Sequence, residues 1–294
     1  MGLNARGVVA LAQAIIYVPI LCFSAVLVAR HGIRRRAGWI FLVILSLVRI
    51  VGGAIHVVSE QQSNPSATLV TTFTILEGVG LSPLMLATLG FLSTIGQGVS
   101  ESGRLVKVLR LLGILSTVAL ILTVVGGVNL GNAKTQKDVD SATNFRHIGA
   151  VLFGILYALV ALTHGYLWSL KDRIMKHRRT LLAGISAVLP FLFIRTLYGV
   201  LSAFSPTSFP GSPATRNSLS KYSASTGSWE IYMAMSVIPE LLTVSTYLFV
   251  GTKVPLDKDF NQAEGRGPST EVLSGDHELR PPYQPYQQYQ AYQP

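Results

Sequence analysis

GWIFLVILSLVRIVGGAIHVV, residues 38–58, runs for 21 residues with a single charged side chain, Arg49. At 1.5 Å per helical residue it is about 30 Å long, the thickness of a bilayer's hydrocarbon core. It is apolar around its whole circumference, which a helix at a water interface cannot be. An ionised guanidinium costs several kcal/mol in hydrocarbon, and its pKa is too high for it to shed the proton. The stretch therefore predicts a membrane span that holds a buried cation in need of a partner.

The rest of the chain repeats the pattern. Its 294 residues are only 13% charged, with a mean hydropathy of +0.45, where soluble domains run near 25% charged. Seven apolar blocks lie near 7–29, 38–58, 67–95, 106–128, 146–170, 180–204 and 229–250. Each is long enough to cross a bilayer as a helix. The expected fold is all-α: a seven-transmembrane helix bundle over residues 1–252, followed by a Pro/Tyr/Gln-rich disordered tail at 253–294. The first block lacks a basic leader and a cleavage site and is read as a retained helix.

Lys and Arg fall mainly in alternate connections. Segments 30–37, 96–110 and 171–179 with the tail hold 16, against 6 in the N-terminus and segments 59–66, 129–146 and 205–228. The positive-inside rule puts the N-terminus outside and the C-terminus in the cytoplasm. The net charge of +10 thus reflects topology, and nucleic acid is not expected as a partner. The single cysteine, Cys22, allows no internal disulfide. The endoplasmic reticulum and the plasma membrane both suit a multi-pass protein of this kind. The tail ends LRPPYQPYQQYQAYQP, a composition that could engage a cytoplasmic partner through polyproline-type helix, although a solvated tail is the simpler expectation.

Four ionisable residues sit deep in the spans: Arg49, Glu77, Arg195 and Glu240. Counted along their helices all lie about 14–16 Å from an end, near the midplane. Two positive and two negative charges balance, as a low-dielectric solvent demands. They are expected to face inward as one polar centre or two pairs, with the Arg–Glu pairing left open. Arg49, Gly53 and His56 share one helix face, and Tyr198 lies one turn from Arg195. His164 is in the fifth span. Pro83, Pro190 and Pro239 interrupt hydrogen bonding near the charges, and LEGVGLSP, residues 76–83, predicts a locally open helix. Glu77 and Glu240 are the candidate catalytic groups. Arg49, Arg195, Tyr198, His56 and His164 are the candidates for substrate binding or charge pairing.

Several chemistries find no motif. The six histidines are scattered, with no H-x-x-x-H pair and no cysteine partner, so no metal and no cofactor is expected. No phosphate-binding Gly-rich loop and no G-x-S-x-G elbow occurs. The D/E-R-Y and N-P-x-x-Y signatures of rhodopsin-type receptors are missing too.

LNARGVVALAQAIIYVP (3–19), RHGIRRRAGWIFLVILSLVRIVGG (30–53), GLSPLMLATLGFL (80–92) and LPFLFIRTLYGVLSAF (189–204) resemble a fungal family of seven-span membrane proteins catalogued as a domain of unknown function. The resemblance covers about residues 3–250 and implies the fold but no activity. FIRTLYGVLSAF is also faintly similar to the sixth-span stretch of fungal lipid-translocating exporters. An acid in the third span and another in the seventh resembles the layout of fungal membrane-bound terpene cyclases, which use acids within their helices to protonate an epoxide.

These observations support three functions, each with a lipophilic small molecule as partner. One is a biosynthetic membrane enzyme of secondary metabolism, a hydrolase or cyclase that opens an epoxide on a polyketide or terpenoid. One carboxyl would act as general acid, while the other, held by an arginine, stabilises charge. The second is a lipid- or drug-type transporter with a midplane site. The third is a seven-helix receptor outside the rhodopsin type.

Overall fold

Hydrocarbon offers no partner to a backbone N–H or C=O, so an apolar block must close its own hydrogen bonds. Each of the seven blocks does so as a helix long and apolar enough to cross a membrane. The structure is a computed structural model that describes residues 3–31, 37–62, 67–96, 103–206, 218–223 and 226–253. The spans are α1 (Ala5–His31), α2 (Ala37–Gln61), α3 with α4 (Ala67–Val79 and Leu81–Gly96), α5 (Arg104–Gly131), α6 (Gln136–Ser169), α7 (Lys176–Ala203) and α8 with α9 (Trp229–Tyr232 and Ile238–Lys253). Among the described residues there is no strand. The tail beyond Lys253, with the expectation of disorder placed on it, lies outside them.

Sequential spans pack side by side, and α1 meets α9 to close the ring. Within it α4 is the central helix, packed against α2, α5, α6 and α7. Of its 16 residues 13 are buried. The outer surface is apolar: Ile15, Leu111, Leu162 and Phe249 are all exposed, Leu162 by 69%. Water would not tolerate that surface, whereas lipid matches it.

Without a hydrophobic force between helices in lipid, close packing comes from small residues. Gly53 of α2 lies directly against α1. A Cβ there would stand 2.8 Å from the Ala10 carbonyl oxygen and 2.9 Å from the Ala14 Cβ. The space beside Arg49 on α2 is thus taken by a helix. Toward the end of the bundle that the charge count assigns to the cytoplasm, Trp39, Phe91 and Tyr247 form a cluster of tilted rings with centroids 4.5 and 4.7 Å apart. There the Tyr247 hydroxyl and Thr88 Oγ1 share a hydrogen bond of 2.7 Å.

One span departs from the sequence expectation and another follows a local one. The fifth begins at Gln136, ten residues before the predicted 146. Its first turns are polar and escape a hydropathy reading, but Thr135 and Asp138 form a capping box: the Thr135 side chain accepts from the Asp138 N–H, and Asp138 Oδ2 accepts from the Thr135 N–H at 2.9 Å. Thr135→Ala should cost about 1 kcal/mol locally, seen as faster amide exchange over residues 136–142 with the rest unchanged. The third span breaks at Gly80, as LEGVGLSP predicted. Pro83 falls in the first turn of the new helix, where its missing N–H is no loss.

Candidate polar centre and cavity

The four deep charges come together, but not symmetrically. Glu240, on α9, is completely buried. Arg49 of α2 grips it with both edges of the guanidinium: Nε donates to Oε1 at 2.5 Å and Nη2 pairs with Oε2. Arg195 of α7 donates from Nε to Oε2 at 3.3 Å. Tyr17 of α1 donates its hydroxyl to Oε1 at 2.7 Å. One carboxylate thus ties four helices with charge-assisted bonds in a dry interior, where such bonds are strongest.

Glu77 takes part through its backbone. Its carbonyl accepts from Arg49 Nη1 at 3.2 Å and from Arg195 Nη2 at 3.3 Å. The α3–α4 break three residues later interrupts the regular helical ladder near this carbonyl. The Glu77 side chain is not held by either arginine: its carboxyl stands beside the Tyr232 hydroxyl, and its Oε2 is buried without a protein hydrogen-bond partner. Sequence reasoning left open one polar centre or two Arg–Glu pairs. The structure separates a clamped carboxylate from an unclamped one.

Gly80 makes the clamp possible. A Cβ there would lie 2.6 Å from Arg49 Cζ, and Arg49 is pinned by Glu240 and the Glu77 carbonyl. Gly80→Ala should cost about 1–3 kcal/mol in thermal or denaturant unfolding. Gly78→Ala is the control, because its nearest neighbour would be Thr123 Cγ2 at 4.0 Å, and it should be near neutral.

Beside the clamp lies a cavity of about 1000 Å³ between α3, α5, α6 and α7. It reaches the segments around Ser220–Tyr222 and Thr226–Ser228, which Arg6 near the N-terminus holds by donating to the carbonyls of Ser223 and Gly227. The cavity therefore opens toward the end of the bundle that the charge count assigns outside. Glu77, Arg195 and Tyr198 line its floor, whereas Arg49 and Glu240 stand behind the wall. The Tyr198 hydroxyl is buried and has no protein partner, and the Arg195 guanidinium sits 6.0 Å from its ring centroid. The rest of the wall mixes aliphatic residues with Ser and Thr, and most of the surface it presents is apolar, as in a small-molecule site.

The backbone is irregular around this floor. Besides the α3–α4 break, the seventh span widens into a π-helical turn at Met233–Val237. Pro239 removes the N–H that the Met235 carbonyl would have met, and π turns gather at functional sites.

The two histidines stand apart from the cavity. His56 is near the outer end of α2, where Nε2 bonds Glu60 Oε1 at 3.1 Å and the ring stacks on Phe73. His164 is toward the inner end of α6 and bonds Ser186 Oγ at 2.9 Å. Among the described residues no group of three His, Cys, Asp or Glu could hold a metal ion. Sequence reasoning missed Tyr17, Gln13 and Tyr232, whose hydroxyl donates to Gln13 Oε1 at 3.4 Å. It also missed Arg146, on the cavity wall.

Seven apolar helices around a buried ion cluster define a multi-pass α-helical membrane protein with an internal cavity. The chain belongs to the family described as Domain of unknown function (DUF7702), which it matches over residues 3–257. No curated protein and no solved structure matches it.

Proposed function

We propose that the protein is a membrane enzyme that takes a lipophilic small molecule into the cavity and acts on it with Glu77. The observation that carries this reading is the unequal fate of the two deep carboxylates. Glu240 is consumed by two arginines and a tyrosine. Glu77 presents an unpartnered oxygen beside the unpartnered Tyr198 hydroxyl, on the floor of a largely apolar cavity. A carboxylic acid in such a place is suited to general acid catalysis.

The chemistry that fits is the opening of an epoxide on a polyketide or terpenoid. The Glu77 carboxyl acts as general acid toward the epoxide oxygen as the C–O bond breaks, and the resulting carboxylate takes back a proton at the end. Water or an internal alkene then forms the new bond to carbon, and loss of a proton completes hydrolysis or cyclisation. Tyr198 steadies the oxygen, while Arg195, neutralised by Glu240, holds the Glu77 backbone. The loose resemblance of the acidic layout to that of membrane-bound terpene cyclases motivates this reading, and a place in fungal secondary metabolism is part of the proposal. The test is expression of the full chain in a heterologous host supplied with epoxidised lipophiles. Conversion by the unmodified protein and loss of product with Glu77→Gln are expected. Product that persists with Glu77→Gln overturns the role.

The broken backbone favours one other reading, a carrier. Interrupted helices at the midplane are the usual frame of transporter sites. In the same host a carrier moves the compound across the membrane without altering its mass.

A further inference from the structure

We propose that the cavity recognises an amphipathic carboxylate, a lipophile ending in a single acid group, and that Arg146 binds that group. This rests on the reading of the cavity as a lipophile site and adds the charge and orientation of its occupant.

Arg146 belongs to α6 in the outer half of the bundle. Its stem packs over Gly126 of α5, where a Cβ would stand 2.7 Å from Arg146 Cγ. That contact fixes the side chain between two helices, and its head lines the cavity. The guanidinium has five donors, yet its single hydrogen bond among the described residues is a long one, 3.5 Å from Nη2 to the Ser202 carbonyl. Among the described residues no carboxylate pairs with it. The acids of the outer side are engaged or exposed: Glu60 bonds His56, Asp138 caps α6, Asp140 accepts from Gln136, and Glu230 is exposed. Residues 205–228 contain no Asp or Glu at all.

The outer part of the cavity is therefore cationic, with Arg146 and Lys221 on its wall. Arg195, which shares the Glu240 carboxylate with Arg49, belongs to the floor. A half-buried, uncompensated guanidinium is unfavourable unless an anion joins it, and a carboxylate matches its planar fork. Ser202, which marks the level of Arg146, is seven residues from Arg195 along α7, about 10 Å. A ligand with its acid at Arg146 and an apolar body reaching inward would place its far part at Glu77 and Tyr198. Entry from the outer leaflet, headgroup outward, follows from that polarity.

The experiment uses the full chain in phosphatidylcholine nanodiscs. Equilibrium binding of oleate, methyl oleate and oleyl alcohol is measured for the unmodified protein and for R146Q and R146K. Oleate should bind more tightly than its ester. R146Q should weaken oleate about tenfold, the size of a lost charged hydrogen bond, and leave methyl oleate unchanged. R146K should restore much of the oleate affinity. If R146Q fails to fold, the oleate-to-ester ratio of the unmodified protein decides. Equal binding of all three lipophiles, or an R146Q effect under twofold, overturns the carboxylate inference and leaves the cavity reading standing. Binding of none overturns both. Oleate binding that depends on Arg146, with no product dependent on Glu77, upholds this inference and rejects only the enzyme.

Discussion

Glu240→Gln should cost the bundle about 3–5 kcal/mol, the size expected when one partner of a buried ion network is removed. The carboxylate has no exposure and accepts from Arg49, Arg195 and Tyr17. Glutamine fills the same volume but carries no charge and offers one acceptor oxygen. Two guanidinium groups would be left positively charged in a low-dielectric interior, and neither can deprotonate. One nitrogen of the new amide would also be forced against an arginine donor. The loss should be visible as a lower unfolding temperature in detergent or nanodiscs and as poor accumulation of the protein. Tyr17→Phe removes one hydrogen bond without touching the charges, so it should cost only about 1–2 kcal/mol. A Glu240→Gln protein as stable as the unmodified one would mean that the cluster does not hold the helices.

Glu77→Gln should behave in the opposite way. The contacts Glu77 makes with the clamp run through its backbone carbonyl, which glutamine keeps. Its Oε2 has no protein partner to lose, and the oxygen of a glutamine still offers an acceptor to the neighbouring Tyr232 hydroxyl. The unfolding temperature should therefore stay within a few degrees of the unmodified protein. Catalysis should fall by about 10²–10⁴, the usual contribution of a positioned general acid. Glu77→Asp keeps the acid but draws it back from the cavity, so it should retain a fraction of the activity. The two glutamates, equal in depth and type, thus separate stability from chemistry.

Much of the fold is legible because the bilayer imposes length and hydropathy on every span. The stretch 38–58 becomes α2, and Pro83 with the glycines of LEGVGLSP marks the α3–α4 break. The start of α6 is not legible from hydropathy, since QKDVDSATN is polar and lies beyond the apolar block. The Thr135–Asp138 spacing was the local signal that carried it. In the site, depth is readable from residue counts, and it brought Arg49, Arg195 and Glu240 together correctly. Direction is not readable from depth. Whether Glu77 turns toward the clamp or away depends on the α3–α4 break and on the volume enclosed by α5, α6 and α7, which no single-helix pattern encodes.

Tyr17 was within reach. The buried face of α1 runs Ala10, Gln13, Tyr17, Ile20, Ser24 and Leu27, spaced alternately by three and four. In a membrane helix the polar and small residues, rather than the apolar ones, mark the interior face. On that criterion Gln13, Tyr17 and Ser24 point inward together. Arg146 was hidden for a different reason. It had been counted as a loop charge, because the helix that carries it into the cavity begins ten residues earlier than its apolar block.

The most direct measurement is a paired one on Glu77→Gln, with product formed from an epoxidised lipophile and unfolding temperature read on the same preparation. The result expected is product reduced at least a hundredfold with the unfolding temperature preserved. Product at the level of the unmodified protein would contradict the assignment of Glu77 as the acting group. A collapse in stability like that of Glu240→Gln would show that Glu77 belongs to the clamp instead.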